Sequence, residues 1–130
     1  MKYISTLIIF ILFSFISTAQ NSKINPILII GESIKIGNLE VAQNVFPKQM
    51  NWGDAKRACK RLGSGWRLPT KDELTIMYQN KDKIGGFATR VYWSSTVSGI
   101  NFAWLQDFGL GGQLSFYKGN TVYVRAVRSL

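Results

Sequence analysis

The acidic and thiol side chains are the first candidates for chemistry in this sequence. There is no His and only one Cys, Cys59. Zinc sites and Ser-His-Asp triads need those residue types, so the composition excludes both. The neighbouring acids Asp72 and Glu73 could form a catalytic pair, but Thr70 to Glu73 matches a helix capping box, which gives them a structural role. We therefore expect no catalytic residue, no metal site and no cofactor.

The basic side chains suggest a different chemistry, the binding of polyanions. The chain carries 16 Lys and Arg against 7 Asp and Glu, a formal net charge of +9. Such a field attracts anionic polymers. Lys56, Arg57, Lys60 and Arg61 concentrate part of this charge on one predicted helix. A polyanion site and a solvated surface that only aids solubility both fit this pattern.

The first nineteen residues are predicted to be a cleavable signal peptide. Lys2 precedes an apolar run from Leu7 to Ile16, and Ser17-Thr18-Ala19 is a small-x-small cleavage pattern. The alternative, a membrane anchor, is disfavoured because the run falls short of the roughly 20 apolar residues of a span. We expect a secreted or periplasmic protein with no stable membrane span after processing. Export favours a protein or glycan ligand over nucleic acid.

The remainder is predicted to be one domain, residues 34–130, behind a lead-in of residues 20–33. In the lead-in, Ile27–Ile30 could be a first strand or a segment that packs late. Gly37-Asn38 between alternating apolar residues predicts a β hairpin. Apolar residues at helical spacing predict a helix over 51–62, with Cys59 on its buried side, and Thr70 begins a second helix.

Short strands follow in the C-terminal half, with turn-forming residues between them. They are predicted at Tyr92–Ser95, Ala103–Phe108, Gln113–Tyr117 and Val122–Arg128. In the last of these, Val122, Val124 and Ala126 alternate with Tyr123 and Arg125, which is typical of a strand with one buried face. A hairpin, two helices and then several strands predict an α+β fold.

A series of motifs resembles a known bacterial family, the Lcl C-terminal domain. The motifs are Met50-Asn51-Trp52-Gly53-Asp54-Ala55, Gly65-Trp66-Arg67-Leu68-Pro69-Thr70, Tyr92-Trp93-Ser94-Ser95-Thr96 and Val124-Arg125-Ala126-Val127-Arg128. The resemblance covers about residues 34–128. It implies a C-type lectin-like scaffold, with two helices packed on a twisted, mostly antiparallel sheet, similar to the fold of formylglycine-generating enzymes. It also implies that Trp66 and Trp93 fill the core, and that Arg125 and Arg128 anchor carboxylates or carbonyls.

The resemblance has limits that bear on function. The calcium and sugar motifs of true C-type lectins are missing, and so are the paired cysteines of formylglycine-generating enzymes. Calcium-dependent sugar binding and that oxidase chemistry are therefore not implied. Members of the Lcl family are linked to sulfated polysaccharide, which would fit the basic residues of the first helix.

The segment from Ser98 to Thr121 resembles the variable region of proteins diversified by retroelements. Apolar side chains stand there among turn formers, where a contact surface would explain them. Trp104, Gln106, Gln113 and Lys118 would be fixed scaffold positions. The expected ligand residues are Ser98, Ile100, Asn101, Phe102, Leu105, Asp107, Leu110, Leu114, Phe116 and Asn120.

The leading hypothesis is thus an exported, non-catalytic module that binds through loops of the C-terminal half. One alternative is polyanion binding by the first helix, and another is a structural envelope protein. Neither the ligand nor the oligomeric state follows from the sequence.

Overall fold

A computed structural model describes residues 24–130. The predicted signal peptide, residues 1–19, and the start of the lead-in, residues 20–23, lie outside the described residues. In residues 24–130, no helix is long and apolar enough to span a bilayer.

Four helices and six strands make up the described chain. In order they are α1 (Pro26–Ile30), β1 (Ile34–Ile36), β2 (Leu39–Val41), α2 (Trp52–Arg61), α3 (Lys71–Gln79), α4 (Lys81–Ile84), β3 (Val91–Gly99), β4 (Phe102–Asp107), β5 (Gln113–Tyr117) and β6 (Val127–Ser129). The fold is therefore mixed, with helices before the longer strands. The predicted hairpin is confirmed as β1 and β2, with Gly37 and Asn38 in the turn.

The strands form two antiparallel sheets rather than the one sheet expected. The first has the order β1-β2-β6 and the second the order β3-β4-β5. β6 comes from the end of the chain and pairs with β2, so the first sheet joins the two ends of the domain. The second sheet is a meander of consecutive strands, and β5 lies at its outer edge.

Both predicted helices begin at the caps expected from the sequence. The Asn51 side chain accepts a hydrogen bond from the Asp54 amide at 2.9 Å, and α2 follows. Thr70 and Glu73 form the complete capping box: the Glu73 amide donates to the Thr70 hydroxyl at 3.1 Å, and the Thr70 amide donates to the Glu73 carboxylate at 2.8 Å. These bonds satisfy first-turn amides that a helix leaves without partners.

The core consists of two clusters on either side of the second sheet. α2 contributes Ala55 and Cys59 to the first cluster, beside Trp66 and Trp93. The second cluster contains Leu74 and Met77 of α3 with Tyr92 and Phe108. The predicted core roles of Trp66, Trp93 and Cys59 are confirmed, since all three are buried.

The lead-in holds a helix where the sequence analysis offered a strand or a late-packing segment. Residues Pro26–Ile30 form α1, and the Asn25 side chain accepts from the Ile27 amide at 3.0 Å. Proline is compatible with the first helical position because its missing N–H would have no partner there. Only Ile29 of this helix is buried.

The final segment departs most from the predicted strand Val122–Arg128. Only Val127–Ser129 is a strand, and residues 122–126 run between the sheets. Their backbone groups form hydrogen bonds on two sides. On one side the Val124 and Ala126 carbonyls accept from the amides of Phe46 and Ala42, and on the other the Tyr123 amide donates to the Val91 carbonyl. Because both sides are covered, Arg125 is buried, with 1% exposure, instead of facing solvent.

Candidate binding surface

Exposed apolar side chains are concentrated on the second sheet. Of the twelve large hydrophobic residues exposed in the described chain, seven fall within residues 97–117: Val97, Ile100, Phe102, Leu110, Leu114, Phe116 and Tyr117. Exposed apolar side chains grouped in this way are candidates for an interaction site. These side chains come mostly from strands, not from the loops that the sequence analysis favoured.

The register of β4 and β5 divides these residues between two faces. Phe102 pairs with Tyr117, whereas Ala103 pairs with Phe116. Directly paired residues project to the same face of a sheet, and successive residues project to opposite faces. Phe102 and Phe116 therefore lie on opposite faces, and the two cannot contact one flat partner surface together.

One face, which we call the aromatic face, carries Phe102, Trp104, Ser115 and Tyr117. The Phe102 and Tyr117 rings meet edge to face, with centroids 6.1 Å apart, and are 45% and 52% exposed. The Ser98 and Ser115 hydroxyls are hydrogen-bonded at 2.5 Å. The Lys71 ammonium lies 3.6 Å from the Trp104 ring centroid. These contacts hold the exposed rings and hydroxyls in fixed positions on a rigid sheet.

The other face, which we call the core side, packs on the first core cluster, whereas the second cluster lies on the aromatic-face side near the β4–β5 turn. Phe116 lies on it with its ring centroid 6.1 Å from that of buried Trp93. Leu114 shares this face and remains exposed because it belongs to the edge strand. The two side chains thus extend the core to the free edge of β5.

Besides Leu114 and Phe116, three more of the predicted ligand residues lie off the aromatic face. Leu105 is a correction: it is 1% exposed and packs in the core, because its β4 position faces inward. Asp107 is half-buried, and its carboxylate accepts from the Gly109 and Leu110 amides at 2.7 and 3.1 Å, which fixes the β4–β5 turn. Leu110 is fully exposed, but it lies in that turn, at the opposite end of β4 from Phe102.

The other predicted ligand residues gather at the far end of the sheet. Ser98 is the next-to-last residue of β3, Ile100 and Asn101 form the β3–β4 turn, and Asn120 lies in the turn after β5. All four are exposed. They surround the end of the aromatic face that holds Phe102 and Tyr117.

The four residues assigned as fixed scaffold make structural contacts. The Gln106 amide nitrogen donates to the Gly111 carbonyl at 2.9 Å, and that of Gln113 donates to the Lys71 carbonyl at 2.9 Å. The Lys118 ammonium donates to the Ile100 carbonyl at 2.9 Å, which ties the β3–β4 turn to β5. Trp104 packs under Lys71, as described above.

The basic residues of α2 are exposed, and the structure adds a neighbour to them. Lys56, Arg57, Lys60 and Arg61 all face solvent, although Arg57 forms an ion pair with Asp54. The Lys56 and Lys118 ammonium groups lie 4.4 and 4.3 Å from the Trp52 ring centroid. We call Trp52, Lys56 and Lys118 the cationic cluster.

Features that would support catalysis are few in the described chain. Burial raises the pKa of the Cys59 thiol to about 12, so it stays protonated at neutral pH. Among residues 24–130, no three His, Cys, Asp or Glu side chains are grouped closely enough to hold a metal ion. Two of the acids serve structure: Glu73 pairs with Arg67 at 2.6 Å and Glu40 with Arg128 at 2.7 Å.

The sequence matches the Lcl C-terminal domain over residues 32–128. The chain belongs to this family. No curated protein matches it. Among solved structures, botrocetin is similar, with a TM-score of 0.59 and 13% identity over 76% of this chain and 96% of that one. A chain from the complex of a mutant von Willebrand factor A1 domain with botrocetin gives a TM-score of 0.57 and 10% identity, over 77% of this chain and 98% of that one. These neighbours are C-type lectin-like, so this Lcl C-terminal domain has that fold.

Sequence reasoning missed three residues of this Lcl domain's surface. Tyr117 was predicted only as part of a strand. Because it pairs with Phe102 in the register, the two side chains lie on the same face. Trp52 was named within a family motif, yet it is half-buried and contacts two lysines. Lys118 was assigned to the scaffold, and its contact with Trp52 depends on a pairing between distant parts of the chain.

Proposed function

We propose that this protein is an exported, non-catalytic binding module that recognises a protein partner through the aromatic face. The observation that carries the proposal is the Phe102–Tyr117 pair, two half-exposed rings in contact at the end of a rigid sheet. Large aromatic side chains dominate the energy of many interfaces, because they bury much area with few rotatable bonds.

The surroundings of these rings supply the polar part of such a surface. The Ser98 and Ser115 hydroxyls and the exposed amide of Asn101 can form hydrogen bonds around an aromatic anchor. Tyr, Ser and Asn beside rigid aromatic residues are the composition of many recognition surfaces. Because the sheet is already ordered, a partner would have little backbone to fix on binding.

The similarity to botrocetin supports a protein as the ligand class. Botrocetin occurs in a complex with the von Willebrand factor A1 domain. The same fold therefore serves protein recognition in that case, although a shared fold does not transfer a partner. The proposal for this chain depends on its own aromatic face.

Retroelement diversification remains part of the proposal. Exposed turn positions such as Ile100 and Asn101 could change without loss of core packing, whereas the scaffold residues Gln106 and Gln113 are held by hydrogen bonds. Buried Leu105 argues that the variable set is smaller than the segment first assigned. Sequencing of the flanking DNA would test this: a template repeat with a reverse transcriptase gene is expected, and their absence would remove this part of the proposal.

Selection from a random-peptide phage library tests the proposed binding surface. We expect the enriched peptides to perturb the backbone amide NMR signals of Ser98, Phe102 and Tyr117. Perturbations confined to α1, which exposes Ile27 and Leu28 at a separate site, would contradict the proposal. That helix serves as an internal control for non-specific adhesion of apolar peptides.

A second candidate function is polyanion binding at the cationic cluster. The specific observation is that two ammonium groups lie over the half-buried Trp52 ring, while Lys60 and Arg61 continue the positive charge along α2. Ammonium groups meet sulfates as point charges. Immobilised sulfated polysaccharide is the probe, and binding should weaken as salt rises.

A further inference from the structure

The outer edge of β5 is an unprotected strand edge. Among the described strands, β5 pairs only with β4. Its sequence, Gln113-Leu114-Ser115-Phe116-Tyr117, contains no charged residue and no proline. Natural proteins usually protect exposed edges with such residues, because a bare edge pairs with other strands.

The hydrogen-bond pattern shows which backbone groups face outward. The Lys118 amide donates to the Asn101 carbonyl, and the Asp107 amide donates to the Gly112 carbonyl, both at 2.8 Å. Bonded and non-bonded pairs alternate along an antiparallel ladder. Leu114 and Phe116 therefore bond to β4, and the backbone groups of Gln113, Ser115 and Tyr117 point away from it.

We propose that this edge pairs with β5 of a second copy of the chain, antiparallel, about a two-fold axis through Ser115. In that register Gln113 lies opposite Tyr117 of the second copy, and Ser115 lies opposite its own equivalent. The three outward-facing residues thus meet outward-facing residues, as an antiparallel ladder requires. A two-fold interface needs this self-complementarity.

The side chains agree with the same register. Leu114 of each copy lies opposite Phe116 of the other copy, so the pair occurs once on each side of the axis. Both side chains are exposed in the single chain. Pairing would bury Leu114 and Phe116 against the second copy, because both lie at the free edge on the core side of the sheet. An aromatic residue opposite an aliphatic one is a stabilising cross-strand pair.

The ends of β5 leave room for the second copy. The Trp52 amide donates to the Lys118 carbonyl at 3.0 Å, so α2 begins directly beyond the strand. In the proposed register Gly112 of the second copy lies opposite Lys118. A Cβ atom at Gly112 would have no neighbour within 4 Å in its own chain, so internal packing does not require glycine there. The missing side chain would keep the approach to α2 of the other copy open.

This inference goes beyond the proposed function and does not depend on it. The aromatic face lies on the opposite side of the sheet from Leu114 and Phe116, so two copies would present two aromatic faces on one continuous sheet. Two linked sites raise avidity for a multivalent partner. A failure of partner binding leaves the pairing untouched, and a monomeric protein leaves the aromatic face intact.

Disulfide trapping tests the register. The Ser115→Cys variant places two thiols on the axis, where Cα atoms of a bonded pair are about 5.5 Å apart, within disulfide range. We expect a covalent dimer to form at least about tenfold faster than in Thr89→Cys, an exposed control outside β5, because pairing raises the local thiol concentration. Equal rates would overturn the proposal. Buried Cys59 does not compete.

Sedimentation tests the pairing without a new thiol. We expect the apparent mass of the unmodified protein to double as concentration rises, and to double at lower concentration in high salt, since the +9 charge opposes association. Ser115→Lys, which puts two cations on the axis, should stay monomeric, and should melt close to the unmodified protein at concentrations where both are monomeric. A protein that is monomeric throughout, or a dimer that survives in Ser115→Lys, would overturn the proposal.

Discussion

Phe102 and Phe116, one residue apart in their β4–β5 register, project from opposite faces of the same sheet. Phe102 contacts Tyr117 on the aromatic face, and Phe116 contacts Trp93 on the core side. The two exposed rings therefore cannot serve one flat partner. In the two proposals partner recognition falls to Phe102 and edge pairing to Phe116, so single substitutions can distinguish the two roles.

Arg125 should be the most sensitive basic residue for stability. Its guanidinium donates to the carbonyls of Ala42, Gln43 and Gly85 at 2.6 to 2.9 Å, and it lies over the Phe87 ring. Arg125→Ala leaves those buried acceptors without donors, so we expect a loss of about 3 kcal/mol or more in urea unfolding. Exposed Arg61→Ala should change the unfolding free energy by less than about 0.5 kcal/mol. Similar losses in the two variants would contradict the anchoring role.

Acid should destabilise the domain through Glu40 and Glu73. Hydrogen bonds from Ser33 and Arg128 lower the pKa of Glu40, and Arg67 lowers the pKa of Glu73. A lowered pKa means that the unfolded state binds more protons in acid, so stability is complete above the unfolded value of 4.5 and falls as pH drops through the folded values.

Unfolding in urea at a series of pH values measures this effect. Glu40→Gln should cost about 1–3 kcal/mol at pH 7 and flatten the decline below pH 4.5, because it removes one of the two groups. The exposed acid in Asp82→Asn provides the control. An unchanged acid profile in Glu40→Gln would show that the Arg128 pair does not stabilise the fold.

Cys59 should be inert to thiol reagents in the folded protein. Burial raises its pKa to about 12, and the side chain is fully covered by the core. We expect no labelling by iodoacetamide at pH 8 within the time that denatured protein reacts fully. Because the folded pKa exceeds the unfolded one, stability should also fall as pH rises above 9.0, the ordinary pKa of the thiol. Fast labelling of the native protein would place the thiol at the surface.

The sequence predicted local features well because their causes are local. The capping box at Thr70 and the Asn51 cap each depend on residues within one turn, and both are present. The α1 helix was missed even though Asn25 and Pro26 form a recognisable cap and first turn. There the apolar residues that follow suggested a strand, and the cap was the better signal.

Non-local features could not be predicted in the same way. The alternation around Arg125 indicates one buried face, but residues 122–126 are covered from both sides by chain that is distant in sequence. Assigning Phe102 and Phe116 to one binding surface failed for a related reason, since the face of each depends on the register. Leu105 lies in the predicted strand Ala103–Phe108, but the inward face that it occupies follows only from the register.

Polyanion binding, if it occurs, should depend on the cationic cluster rather than on total charge. Lys56→Ala with Lys118→Ala should weaken retention on a sulfated-polysaccharide column by more than Lys35→Ala with Lys83→Ala, which removes the same charge from exposed sites elsewhere. Arg57→Ala should have a smaller effect, because Arg57 is already paired with Asp54. Equal loss in the two double variants would indicate a diffuse electrostatic effect.

The most direct test of the binding proposal is the dissociation constant of one library-selected peptide for four forms of the protein: unmodified, Phe102→Ala, Tyr117→Ala and Phe116→Ala. Phe102→Ala and Tyr117→Ala should each weaken binding about tenfold or more, since each removes an anchor worth about 1–2 kcal/mol. Phe116→Ala, on the opposite face, should leave the constant within about twofold. Loss in Phe116→Ala with full binding in the other two would contradict the assignment of partner recognition to the aromatic face.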